Sequence, residues 1–131
     1  MNSNSLRSPL GKVKGLGSAK SGTEHFIAQR LSALALVPLT IWFCFSLAAM
    51  PQMDYANFTG WLQSPLNVSL MILTVLATFY HAYLGLQVVI EDYVSDHALR
   101  LTSIIIVQFI CILVSVIGVV SVFKIATGGA A

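Results

Sequence analysis

Three long stretches without a formal charge alternate with short polar ones along this chain. Leu31 to Met53 contains no Asp, Glu, Lys or Arg over 23 residues. At about 1.5 Å per residue, that is enough helix to cross a hydrocarbon layer roughly 30 Å thick. A second charge-free stretch extends from Tyr55 to Ile90, and a third from Leu101 to Phe123, ending at Lys124. The pattern predicts three membrane-crossing helices at about 31–50, 66–90 and 101–123. Pro38 falls inside the first, where neighbouring helices can satisfy the backbone group a proline frees.

Between the first two spans, Pro51, Asp54, Asn57, Thr59, Gly60, Gln63, Ser64 and Pro65 mark a connection. Tyr55, Phe58, Trp61 and Leu62 give it an apolar face, which predicts a short interfacial helix with Trp61 at headgroup level. A polar turn from Glu91 to Leu99, containing Asp92, Asp96 and His97, joins the second span to the third. The sequence divides into a basic tail, 1–21, and a single membrane domain, 22–131.

Composition agrees with the membrane class. Hydrophobic residues make up 56% of the 131 and charged residues 9%, against roughly 25% charged in a soluble domain. A net charge of +2 points to no nucleic-acid partner, and its distribution says more than its size. Arg7, Lys12, Lys14, Lys20 and Arg30 precede or open the first span, Arg100 lies by the second turn, and Lys124 stands alone at the other side. Six against one places the N-terminus and the Glu91–Arg100 turn in the cytoplasm, or an equivalent matrix, and the C-terminus in the periplasm.

The tail is rich in Ser, Gly, Lys and Arg, with no acid before Glu24. A cleaved secretory signal does not fit it, because its basic region is too long and it lacks an apolar core. A mitochondrial presequence shares its look, and a flexible tail near anionic lipid requires least. Cys44 and Cys111 form no Cys-x-x-Cys and read as small hydrophobes within the spans. Three spans without an internal repeat or a row of acids are few for a transporter, and suit one part of a larger membrane complex.

Chemistry concentrates in the second span. His81 is the one imidazole at membrane depth, and a polar group there is a functional candidate that needs a partner. On a helix its own face carries Thr74, Ala77, Thr78, Gly85 and Val88, mostly small. Such a groove suits a flat macrocycle with imidazole on its iron, and equally suits a packed helix with His81 bonded to a serine or carbonyl. A bis-histidine haem needs two axial imidazoles. His25 precedes the first span and His97 follows the second, so a second ligand would come from another polypeptide. Asp92 lies eleven residues past His81 on nearly the same face, about 16 Å along the axis. Asp92 and Tyr93 together can hydrogen-bond a quinone carbonyl and relay protons, or serve as an interfacial anchor. Arg30 can reach lipid phosphate or pair with a haem propionate, with His25 and Ser32 nearby.

The segment Gly22-Thr23-Glu24-His25-Phe26-Ile27-Ala28-Gln29-Arg30-Leu31-Ser32-Ala33 resembles the entry to the first span of the small membrane-anchor subunits of succinate dehydrogenase, respiratory complex II. So does His81-Ala82-Tyr83-Leu84-Gly85 followed by Asp92-Tyr93 and Ala98-Leu99-Arg100-Leu101, in an alphaproteobacterial style. The resemblance runs over residues 22 to 123. It implies that His81 is an axial ligand of haem b, the other coming from a companion cytochrome b556-type subunit. It implies that Tyr93, with Asp92 beside it, bonds ubiquinone, and that Arg30 lies near the haem propionates. An iron–sulfur subunit and a flavoprotein subunit would complete the complex in the bacterial inner membrane; a mitochondrial inner membrane is the alternative. Glu91 and Asp96 make the turn more acidic than that pattern, and would face the iron–sulfur subunit. A haem-free structural anchor, or the anchor of a fumarate reductase, shares the architecture. Oxidation of succinate itself would belong to the soluble subunits.

Overall fold

The computed structural model describes residues 22–128, so the predicted basic tail, 1–21, lies outside the described residues. Four helices follow in order: α1 Gly22–Ala48, α2 Tyr55–Leu62, α3 Pro65–Tyr93 and α4 His97–Ala126. α1, α3 and α4 are long and apolar enough to cross a membrane. The short α2 occupies the connection where an interfacial helix was predicted.

Helices α3 and α4 outrun their predicted spans at both ends, whereas α1 starts before its span and stops at Ala48; local caps and turn residues set the ends of α2, α3 and α4. Asp54 caps α2, accepting the Asn57 N–H on Oδ1 at 2.8 Å. Pro65 opens α3 in the first turn, where its missing N–H has no helical partner to lose. Asp96 caps α4 through the Leu99 N–H at 2.7 Å. That bond gives one of the two surplus acids a structural role, and it shortens the predicted Glu91–Leu99 turn. Helix α3 continues through Glu91, Asp92 and Tyr93, so 94–96 alone makes the reversal. At the far end Thr127 caps α4, and Gly128 closes it at φ +73°, a left-handed conformation cheap for glycine.

Helix α3 is the spine. It packs against α1 on one side and α4 on the other, while no Cα of α1 comes within 8 Å of one in α4. The described chain is therefore an open row of three spans. Gly118 on α4 lets α3 approach so closely that a Cβ there would lie 2.9 Å from Val75 Cγ1. Small residues at a crossing are how membrane helices gain contact, since lipid offers side chains no hydrophobic penalty to escape. Below, α2 is fastened by a stack of Trp61 on Trp42 of α1, ring centroids 5.4 Å apart. The Asn67 side-chain amide reinforces it by donating to the Trp61 carbonyl at 2.8 Å, and Leu62 is buried beneath.

Hydroxyls at membrane depth are mostly absorbed by their own helices. Thr74 donates to the Leu70 carbonyl at 2.7 Å, and Ser121 to that of Ile117 at 2.8 Å. Among the described residues seven side chains are buried: Ser32, Leu39, Leu62, Met71, Leu84, Cys111 and Ser115. Large apolar side chains from Phe26 to Phe123 remain exposed on all three spans. In a soluble protein that surface would aggregate; here it is what hydrocarbon and a neighbouring subunit would cover.

Candidate functional site

The one side-chain bond tying α1 to α3 involves the residue that the sequence singles out. Ser32 Oγ lies 2.9 Å from His81 Nδ1 and 3.0 Å from the Gln29 carbonyl oxygen one turn back on its own helix. Ser32 is a buried polar residue at 8% exposure, so a bond matters there more than it would in water. The contact also fixes topology. With residues 32 and 81 level, and the two helices running in opposite directions, the start of α1, the end of α3 and the start of α4 share one end of the row.

His81 is half-buried, and it lines a groove of about 410 Å³ whose other walls are Ala33, Leu36, Val37, Thr40 and Ile41 of α1. The walls are aliphatic apart from Thr40. One turn beyond, Gly85 has no atom within 4 Å of where a Cβ would sit, so space continues along that face of α3. His25 Nε2 is the one buried side-chain nitrogen or oxygen without a partner among the described residues. His81 Nε2 has no partner among them either, so it is open where His25 Nε2 is sealed.

The packing reading of His81 is met in the Ser32 contact. The helix-packing serine is present, and it occupies Nδ1 alone. No cluster of three or more His, Cys, Asp or Glu side chains suited to a metal ion occurs among the described residues. What the chain offers is a single imidazole nitrogen over apolar walls, the donor set of one axial position at a haem iron.

The other predicted site residues gather at the shared end but do not touch His81. Asp92 and Tyr93 finish α3, both exposed, Tyr93 at 84%. Arg30 is exposed on α1, its guanidinium carbon 4.7 Å from the Phe26 ring centroid. Seven residues before Val37, close to two full turns, it extends the α1 stripe that walls the His81 groove toward the shared end. A polar recess of about 310 Å³ lies alongside, lined by Glu91, His97, Arg100, Leu101 and Ile104. Glu91 also accepts a bond from the Gln87 side-chain amide at 2.8 Å, which holds the last turns of α3 together. Glu91, His97 and Arg100 line that recess; Asp92 and Tyr93 do not.

Ser32 is the residue whose role a sequence reading leaves open. A serine at the start of the first apolar stretch, at the depth of a lone histidine on the next span, was the available signal.

Comparison with known proteins shows the family. Residues 4–117 match the family described as succinate dehydrogenase/fumarate reductase transmembrane subunit. The chain is 41% identical to the succinate dehydrogenase hydrophobic membrane anchor subunit of Rickettsia conorii over 90% of its length and 94% of that protein's. The Rickettsia bellii subunit of the same name is 42% identical over the same shares of each chain. That of Paracoccus denitrificans is 31% identical over 65% of this chain and 66% of its own.

Proposed function

Because the chain belongs to the succinate dehydrogenase/fumarate reductase transmembrane-subunit family, we propose that it anchors a succinate:ubiquinone oxidoreductase in the bacterial inner membrane. In that role it contributes one axial ligand to a haem b and part of the quinone site. The relatives it matches are named as hydrophobic membrane anchor subunits of succinate dehydrogenase, which supports the anchoring role. The N-terminus and the α3–α4 turn face the cytoplasm and the C-terminus the periplasm, a reading supported by the excess of Lys and Arg on the first side. The end bearing Arg30, Asp92 and Tyr93 is thus the end at which iron–sulfur and flavoprotein subunits dock.

The observation that carries the haem reading is the division of labour on the His81 ring. One nitrogen is engaged by Ser32 and the other is open. His81 would supply one ligand to the iron, and an imidazole of a companion cytochrome b556-type subunit would supply the second. The aliphatic α1 walls exclude water from the ring. When bound, the haem supplies a one-electron redox centre. Arg30, in line with the α1 wall of the groove, would pair with a haem propionate.

Tyr93 donates its phenolic hydrogen to a quinone carbonyl, which fixes the headgroup near the surface. Asp92 beside it takes up protons from the cytoplasmic side. The chain has no part in succinate oxidation itself.

His81→Ala tests the haem assignment in the purified complex. The expected result is loss or marked loosening of haem b in the reduced-minus-oxidised spectrum, with the soluble subunits still bound. An unchanged spectrum and haem stoichiometry would return the chain to a haem-free structural anchor.

A further inference from the structure

Ser32 has one hydroxyl hydrogen and two close neighbours, the Gln29 carbonyl at 3.0 Å and His81 Nδ1 at 2.9 Å. A carbonyl oxygen can only accept. If the hydroxyl hydrogen went to Nδ1, the contact with Gln29 would set two oxygens against each other with nothing between them. If it goes to the carbonyl, the hydroxyl oxygen keeps lone pairs free to accept from Nδ1–H. The second arrangement satisfies all three groups. In a buried, water-poor setting, where an unmade bond is expensive, it is the one that prevails.

From this geometry we infer that Ser32 is a positioning residue for the His81 ring. Oriented by the Gln29 carbonyl, its oxygen accepts the Nδ1 proton, which fixes the tautomer and leaves Nε2 as the lone-pair nitrogen. A neutral imidazole carries one ring proton, so its place at Nδ1 decides which nitrogen can bind a metal. Ligating histidines commonly hold the second nitrogen in such a bond, which sets ring orientation and raises the basicity of the ligating nitrogen. Here the acceptor stands on α1 and the ligand on α3, so the same bond ties the ring's orientation to the packing of two spans. Ser32 touches neither iron nor quinone and acts through His81 alone. The inference rests on the proposed haem ligation.

The test compares Ser32→Thr, Ser32→Val and Ser32→Ala in the assembled complex. Threonine and valine share a shape and differ in the hydroxyl, so the pair separates hydrogen bonding from packing. Removal of an outer-shell partner of this kind weakens metal retention by roughly ten- to a hundredfold. The Val and Ala variants are therefore expected to lose haem faster to an apo-protein acceptor. The haem they keep should have a raised reduction potential, because a less basic imidazole stabilises the ferric state less. Thr should restore both. Wild-type haem retention and potential in the Val variant would overturn the inference, and so would equal defects in Val and Thr, which would assign the effect to shape. If His81→Ala leaves haem in place, the ligation reading fails instead. If His81→Ala removes haem and Ser32→Val changes nothing, only the positioning role falls.

Discussion

Replacing Gly118 by alanine is expected to destabilise the chain through a single contact, one whose size can be worked from the geometry. The added Cβ would stand 2.9 Å from Val75 Cγ1, half an ångström inside the 3.4 Å at which ordinary contact begins. Valine is β-branched and holds one strongly preferred rotamer in a helix, so it cannot swing clear without leaving its well. A departure of about 30° costs roughly 0.5–1.5 kcal/mol, and overpacking by one methyl group costs typically about 1–3 kcal/mol. Against that, alanine favours the helix over glycine by about 1 kcal/mol. The net loss is about 0–2 kcal/mol, the overpacking cost less the propensity gain. The decisive measurement is a double-mutant cycle with Val75→Ala. In that background the obstructing methyl groups are gone, and Gly118→Ala should become neutral or stabilising. Unfolding of the purified complex in mixed detergent micelles, followed by tryptophan fluorescence, gives the four stabilities. If the two substitutions add within about 0.5 kcal/mol, as independent sites do, α3 and α4 do not meet at Gly118 as described.

Asp96→Ala removes the cap of α4 and should cost about 1 kcal/mol, with Asp96→Asn retaining most of it, read as the thermal midpoint of the complex. Tyr93→Phe should raise the KM for ubiquinone and lower quinone reduction several-fold, while succinate oxidation with a soluble acceptor stays unchanged; equal quinone kinetics would remove Tyr93 from the site. Single cysteines at Ser95 and Thr127, in a chain with Cys44 and Cys111 replaced, should report opposite faces. A membrane-impermeant maleimide should label Ser95→Cys in inside-out vesicles and Thr127→Cys in spheroplasts, and the reverse pattern would invert the proposed orientation.

The three spans and the interfacial α2 are legible because hydropathy and turn residues are local properties. The ends are less so. Helix α1 begins at Gly22, through Glu24 and His25, because charged side chains at a membrane surface do not stop a helix. The turn after α3 is shorter than its polar composition suggests, since Gln87 steadies Glu91 within the helix and Asp96 starts the next one. For the site, His81 stands out from the chain as a lone imidazole in apolar surroundings. Its partner does not, because the rotation and register of α1 on α3 depend on tertiary packing. The place of Arg30 is different in kind: seven residues before Val37 is close to two full turns, so once Val37 walls the His81 groove, Arg30 must lie in the same stripe nearer the shared end.

A row of spans in which the outer two never meet has no interior of its own. Each outer span packs against only one other span, and the curvature of the strip is left for an adjoining polypeptide to impose. Synthesised without that companion, the subunit would leave a histidine nitrogen and several aromatic rings facing lipid. An orphan copy should therefore be short-lived in the cell, its abundance following that of the subunit it was made to meet.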